Sequence, residues 1–148
     1  MRVLIILSLL IMFVSCQEDA KTPEGLLRMY ITDITSKKVD RDYFETYTTG
    51  KMLEHINTLS DEEFNSFVDL SKVRSPKLEI SNKNCEGEKC SLTYVIKYDV
   101  VLEDKKEFQS EVKKVASLIK DGETWKISEV SNIKTFHDSL IPINALED

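Results

Sequence analysis

Residues 90–102 read CSLTYVIKYDVVL, and apolar or aromatic side chains occupy every second position from Leu92 onwards. This period of two predicts one long β-strand with a single apolar face, because successive side chains of a strand point to opposite sides. The residues on that face are Leu92, Tyr94, Ile96, Tyr98, Val100 and Leu102. Such a strand needs partner strands and a cover for its apolar face, and the flanking sequence supplies both.

Two more strands are predicted, one before this strand and one after it. Before it, Leu78 and Ile80 alternate with charged residues once Pro76 has ended the helical pattern. After it, residues 108–119 carry apolar side chains whose parity changes near residues 113–114. We expect a bulge at that point, and a bulge curves the sheet.

A hairpin is predicted at residues 120–123, KDGE, with the Asp-Gly pair at its centre. Trp125 then begins a fourth strand that runs to about Ile133. Residues 134–148 carry no pattern that places them.

The first half of the chain predicts short helices, each with its own start signal. A helix over residues 23–36 has one apolar face, which includes Leu27, Tyr30 and Ile34. The start signals are Thr22 with Pro23, Asp40, Thr48-Thr49, and Ser60 with Glu63. Ser60 and Glu63 have the spacing of a capping box, in which each side chain bonds the other residue's backbone N–H.

Helices followed by four antiparallel strands predict an α+β fold, with N-terminal short helices packed on a curved four-stranded antiparallel sheet in a cone-shaped roll. The order of elements, the first helix with its PEGLL sequence at 23–27, and the ending DGETWKI at 121–127 resemble the nuclear transport factor 2-like superfamily. The resemblance covers residues 23–133 and implies a cavity in the mouth of the cone. A cystatin-like packing of helix on sheet is the alternative.

The N-terminus carries an apolar run at residues 3–14, broken only by Ser8. As a helix the run would be roughly 18 Å long, too short for a hydrocarbon core of ~30 Å and typical of a signal peptide. With FVSC at residues 13–16, it resembles a bacterial lipoprotein signal with its lipobox. The resemblance implies that residues 1–15 are removed and that Cys16 receives fatty acyl chains of the palmitate type. An ordinary signal peptide, or an uncleaved anchor, with a coincidental cysteine is the alternative.

A lipid on Cys16 implies a protein anchored in the cell membrane that faces the periplasm or the exterior. Because Gln17 and not aspartate follows the cysteine, the resemblance favours the outer membrane if the host is a diderm bacterium. Residues 16–22 would form a short tether with a reach of roughly 20 Å. Residues 23–148 would form a single α+β domain.

The charge of the chain argues against a nucleic-acid partner. Its formal net charge is −6, with both signs spread along the sequence, and an acidic domain is a poor nucleic-acid binder. The sequence has no glycine-rich phosphate loop and no paired-histidine motif, so we expect no cofactor and no metal. The two histidines, His55 and His137, are expected on the surface.

Cys85 and Cys90 flank four residues that include Gly87. If this stretch closes a hairpin, the two cysteines lie opposite each other and can form a disulfide. Three cysteines are an odd number, and assigning Cys16 to lipid leaves this pair. A redox pair or half of a zinc site are the alternatives, although no histidine or further cysteine lies near enough in the sequence to complete a metal shell.

The candidate ligand-binding residues are Tyr30, Asp33, Tyr94 and Tyr98, which would face the cavity that the superfamily resemblance implies. The first hypothesis is a non-catalytic envelope lipoprotein that binds a small apolar ligand or a protein partner, without catalytic residues. The alternative is a membrane-tethered enzyme of the isomerase or dehydratase type, using a tyrosine and an acid in the pocket. A structural or assembly factor in a larger envelope complex is a third hypothesis.

Overall fold

The computed structural model describes residues 19–102 and 105–139. A 3-10 helix at Asp19–Lys21 leads into four α-helices, which four β-strands follow. The helices are α1 (Pro23–Ser36), α2 (Arg41–Tyr47), α3 (Gly50–Thr58) and α4 (Asp61–Val68). The strands are β1 (Val73–Glu86), β2 (Lys89–Leu102), β3 (Lys105–Asp121) and β4 (Thr124–Ser139).

Each strand pairs antiparallel with the next, in the order β1-β2-β3-β4, and the sheet remains open. The predicted α+β class, with N-terminal short helices on a curved four-stranded antiparallel sheet, is confirmed. The predicted signal peptide at residues 1–15 and the lipidation site Cys16 lie outside the described residues. The 3-10 helix lies within the predicted tether at residues 16–22. It packs against the domain, because Ala20 is buried in the core cluster.

The helix starts depend on local contacts, and the sequence predicted them correctly. At α1 and α2, the side chains of Thr22 and Asp40 accept hydrogen bonds from backbone N–H groups three residues later. At α4, Ser60 Oγ accepts from the Glu63 N–H at 3.3 Å, and the Glu63 carboxylate accepts from the Ser60 N–H at 2.8 Å. This is the complete capping box.

Two of the hairpin turns place a glycine with positive φ at the first central position: Gly87 with φ 57° and Gly122 with φ 63°. This is the position that type II′ turns reserve for glycine. The prediction of Asp-Gly at the centre of the second turn was wrong by one residue. Asp121 instead pairs with Thr124 as the last pair of the ladder, which leaves Gly122 and Glu123 as the turn.

One face of the sheet packs against the helices, and we call it the inner face. β2 supplies the even-numbered residues that the sequence predicted. In β3 the inner residues are also even-numbered throughout: Ser110, Val112, Lys114, Ala116 and Leu118. The predicted change of parity in this strand was wrong, because Val115, Ser117 and Ile119 lie on the outer face.

The irregularity near residues 113–114 belongs to β4. Lys113 pairs with Lys134 and Lys114 with Asn132, so Ile133 is the additional residue. A second shift leaves Ser128 as an additional residue nearer the start of the strand. After each additional residue, the side chains of β4 that face inward change between odd and even numbers. β4 therefore contributes inner-face residues along its whole length. β4 also continues beyond the predicted end at about Ile133, to Ser139.

The core lies between the helices and the half of the sheet near the β1–β2 and β3–β4 turns, and α1 supplies several of its residues. Leu26, Leu27 and Phe44 are fully buried there, as are Leu92 and Ile127 of the sheet. At the start of α1, Glu24 forms an ion pair of 2.7 Å with Lys83 of β1. At the other half of the sheet, residues 131–138 of β4 are all exposed.

Within the described ranges, no helix has the length and apolar character that crossing a bilayer requires.

Candidate functional site

A cavity of about 590 Å³ lies between the inner face of the sheet and the helices, and we call it the inner cavity. Its volume is in the range of small-molecule sites. Its helical walls are largely apolar and include Ile31, Ile34, Phe44, Met52, Phe67 and Val68. Phe67 is 41% exposed, and the lining residues Asn132 and Thr135 of β4 are exposed as well, so the cavity meets solvent at these residues.

Rows of directly paired residues form the inner face beneath the cavity. The middle row is Tyr94, Lys114 and Asn132. The neighbouring rows are Leu92, Ala116 and Val130 on one side, and Ile96, Val112 and Thr135 on the other. A polar row with a lysine at its centre therefore lies between two mainly apolar rows.

Lys114 is the lysine among the described residues that line this cavity. Its side chain is partly buried, and desolvation lowers the pKa of its ammonium group below the usual 10.5, because burial disfavours the charged form. No ion pair joins Lys114 to a carboxylate among the residues described. The described lining also contains no Asp or Glu, whereas it contains Lys114. The cavity is therefore suited to a ligand with negative charge.

Two tyrosines of the lining, Tyr30 and Tyr94, remain neutral hydrogen-bonding groups. Burial raises the pKa of the Tyr30 hydroxyl, and the neighbouring Tyr94 adds to the effect. Burial also raises the pKa of Tyr94 itself. Both hydroxyls thus keep their protons at neutral pH and can donate to a ligand.

The structure brings together three of the four predicted ligand-binding residues. Tyr30, Tyr94 and Tyr98 all line the inner cavity. The fourth, Asp33, does not line it, so its predicted position in the pocket was wrong. Although Asp33 is only one turn from Tyr30, its side chain points away from the apolar face of α1 and toward α2.

On that side of α1, Asp33 has its own partners. Its carboxylate forms an ion pair with Lys37 at 2.6 Å. It also lies near the hydroxyl of Tyr43. Burial is the main cause that raises the pKa of this hydroxyl, and the negative charge of Asp33 raises it further. The hydroxyl of Tyr43 is buried, and no hydrogen bond to it meets normal geometry within the described part of the chain. Asp33 therefore lies outside the inner cavity, in a second cavity of about 600 Å³ that Lys37 and Tyr43 also line.

The register of the sheet also brings Ser110 and His137 together, a contact that sequence reasoning missed. Ser110 Oγ lies 3.2 Å from His137 Nδ1, and Ser110 is fully buried. The ring of Phe108 packs edge-on against the imidazole, with centroids 5.2 Å apart. None of the hydrogen bonds found among the described residues joins His137 to a carboxylate. The expected exposure of His137 is confirmed, and so is that of His55.

The predicted disulfide between Cys85 and Cys90 is confirmed. The two residues pair across the β1–β2 hairpin, with a Cα–Cα distance of 4.0 Å. Neither cysteine lines the inner cavity. In the described ranges, no cluster of three or more His, Cys, Asp or Glu side chains forms a potential metal site.

Comparison with known proteins gives a likeness in structure and none in sequence. A scan against protein-family models found no match, and a search of curated proteins found none either. The chain is similar to the solution structure of a SEC-C motif containing protein from Rhodopseudomonas palustris, with 15% identity and a TM-score of 0.58. The alignment covers 78% of this chain and 81% of that one. The likeness is one of fold. It supports an α+β domain with a four-stranded sheet and says nothing about activity.

Proposed function

We propose that this chain is a non-catalytic envelope lipoprotein whose inner cavity binds a small apolar ligand. The observation that carries the proposal is the cavity of about 590 Å³ with apolar helical walls. An apolar cavity with a few convergent polar groups is the usual form of a small-molecule site. The lining meets this description, since Tyr94, Lys114 and Asn132 are polar and the neighbouring rows are mainly apolar.

The anchor is part of the same proposal and rests on the sequence. The leader at residues 1–15 ends at Cys16 in a lipobox-like pattern, and a lipid there would hold the protein to the membrane on the periplasmic or exterior side. The Cys85–Cys90 disulfide is compatible with that location, because disulfides persist in oxidising compartments. Membership of the nuclear transport factor 2-like superfamily, with a cystatin-like relationship as the alternative, also belongs to this proposal.

The isomerase or dehydratase alternative has less support. It needs an acid beside a tyrosine in the inner cavity, and Asp33 lies outside it, in the second cavity, where its carboxylate is paired with Lys37. Ser110 and His137 form a polar pair, but none of the described hydrogen bonds supplies a third, acidic member. A protein partner remains the alternative occupant of the cavity.

A cavity-filling substitution tests the binding proposal. Val130 is half-buried and lines the cavity, so Val130→Trp should fill part of it and weaken the binding of dodecanol, measured by calorimetry. Val115→Trp is the matched control, because Val115 is also half-buried but lies on the outer face. Binding that survives Val130→Trp unchanged, in a variant with a native circular-dichroism spectrum, would refute the cavity as the site. So would a wild-type protein that binds no dodecanol.

A second experiment tests the anchor. In bacteria fed labelled palmitate, the wild-type protein should carry the label and partition with membranes. Cys16→Ser should abolish the label and leave an uncleaved or soluble protein. Unchanged labelling and partitioning would contradict the anchor without bearing on the cavity.

A further inference from the structure

We infer that the ligand of the inner cavity is a single-chain carboxylate, an apolar chain with one anionic head, and that Lys114 binds this head. The inference rests on the proposed binding function and specifies its ligand class. Lys114 would act as the binding residue for the charge, while the helical walls would cover the chain.

The position of Lys114 is the first argument. It lies in the middle strand of the row Tyr94–Lys114–Asn132, so a hydrogen-bonding side chain lies directly across from it on each side. A carboxylate can accept from several donors at once, and the ammonium, a phenol and an amide are all donors. The row can therefore offer up to three donors to one carboxylate head.

The charge of the lining is the second argument. A buried charge is costly unless it is paired. Lys114 has no carboxylate partner among the residues described, and the described lining contributes no Asp or Glu. A ligand carboxylate would supply the missing partner. A cationic ligand would add a second positive charge beside the lysine, so the same lining disfavours it.

The apolar surroundings are the third argument. The row of Ile96 and Val112 lies next to Lys114 on the floor, and Ile34 and Val68 belong to the opposite wall. A short, wholly polar anion would leave these surfaces against water. An unbranched chain attached to the carboxylate would cover them, and each buried methylene adds to affinity.

The number of charges selects a carboxylate over a phosphate head. One lysine neutralises one negative charge, and an alkyl phosphate carries between one and two at neutral pH. The excess negative charge would have to be desolvated in the cavity without a second lysine or arginine in the described lining to pair with it, which is unfavourable. A fatty acid released from lipid and a free short-chain acid share the carboxylate chemistry that the site recognises.

The experiment uses a matched pair of probes on the full chain. Dodecanoate and dodecanol have chains of the same length and differ in the charged head. In calorimetry at neutral pH, we expect Lys114→Met to weaken dodecanoate binding about tenfold or more, the usual effect of losing a charge-assisted hydrogen bond. The same substitution should change dodecanol binding by less than about twofold, because methionine preserves the apolar stem.

Two further variants control for charge and for general effects. Lys113→Met removes the adjacent lysine, which is exposed on the outer face, and should leave both affinities unchanged. Lys114→Arg retains the positive charge and should retain most of the preference for dodecanoate. Dodecyl phosphate should bind no tighter than dodecanoate.

The outcomes separate the two proposals. If neither probe binds the wild-type protein, the binding function fails and the carboxylate inference fails with it. If dodecanol binds but Lys114→Met weakens both probes equally, or neither, the cavity is a site and the carboxylate inference is overturned. Tighter binding of dodecyl phosphate than of dodecanoate would overturn the choice of head group.

Discussion

Lys114 of β3 lies directly opposite Tyr94 of β2, and both side chains line the inner cavity. Tyr94 is 1% exposed and Lys114 is half-buried, so the ammonium group is partly desolvated beside a buried aromatic residue. A charge in such a position is more costly in the folded state than in the unfolded state. The pair thus links the proposed ligand site to the stability of the fold.

Replacing Lys114 should stabilise the protein at neutral pH. Lys114→Met removes a desolvated charge, so its free energy of unfolding in urea should exceed that of the wild type. The wild type should gain stability as pH rises from the lowered pKa of Lys114 toward 10.5, because only the unfolded state binds that proton in this window. Lys114→Met should lack this gain.

The other titratable groups that line the cavity are Tyr30, Tyr94, Tyr98 and His55. They are present in both proteins, so the difference between wild type and variant isolates the lysine. Lys113→Met should follow the wild-type curve. A wild-type stability that does not rise relative to Lys114→Met would contradict the desolvated lysine.

The disulfide should contribute to stability without affecting the ligand site. On the loop-entropy model, a ring of this size stabilises by about 2 kcal/mol. The double variant Cys85→Ala, Cys90→Ala should lose this amount in urea unfolding and should bind dodecanol as the wild type does. Reductant should lower the stability of the wild type and leave the double variant unchanged. Non-reducing peptide mapping that found two free thiols would refute the bridge.

The capping box at the start of α4 should be worth about 1 kcal/mol. Ser60→Ala removes the side-chain acceptor for the Glu63 N–H and should lower the free energy of unfolding by that amount. Thr49→Ala is a suitable control, because Thr49 precedes α3 without a side-chain capping bond. Similar losses from both substitutions would show that the box has no special role.

The same box predicts a response to acid. The hydrogen bond from the Ser60 N–H lowers the pKa of Glu63. A carboxylate with a lowered folded-state pKa stabilises the fold above its unfolded pKa, and the contribution is lost as pH falls through the lowered value. Glu63→Ala should therefore show a smaller loss of stability on acidification than the wild type does.

Asp33 should prove irrelevant to the cavity. Lys37 is largely exposed, but Asp33 is buried beside the hydroxyl of Tyr43, so Asp33→Asn should cost about 1 kcal/mol. Dodecanol and dodecanoate should bind the variant with unchanged affinity. A loss of binding would return Asp33 to the ligand site and would favour the tyrosine-and-acid chemistry of the alternative enzyme.

The helices were predictable because their boundaries depend on neighbouring residues. Thr22, Asp40 and Ser60 each bond a backbone N–H three residues away, and such contacts are visible in the sequence. The α+β class followed from the change of period at the middle of the chain. These parts of the fold need no long-range information.

The floor of the cavity was less predictable because it depends on register. Among the even-numbered residues of β3, Lys114 interrupts a series that is otherwise apolar or small, Val112, Ala116 and Leu118. Because of this lysine, the odd-numbered residues Val115 and Ile119 looked like the buried ones. Only pairing with Tyr94 and Asn132 shows that Lys114 points inward. The sequence did contain a signal for the correct face, which is the series of even-numbered residues Phe108, Ser110, Val112, Ala116 and Leu118.

Asp33 illustrates a different limit. Its spacing from Tyr30 places both residues on neighbouring parts of one helix surface, and spacing alone cannot tell which part meets the sheet. The position of α2, with Tyr43 beside Asp33, decides that question. The contact between Ser110 and His137 is likewise set by the pairing of β3 with β4.

The direction of α1 separates the proposed point of attachment from the proposed cargo. The helix starts beside the packed 3-10 segment, only a few residues after Cys16, and its cavity-lining residues begin at Tyr30, roughly 10 Å further along the axis. If Cys16 carries the proposed lipid, the packed start of α1 therefore lies between the point of attachment and the cavity-lining part of the helix along the chain.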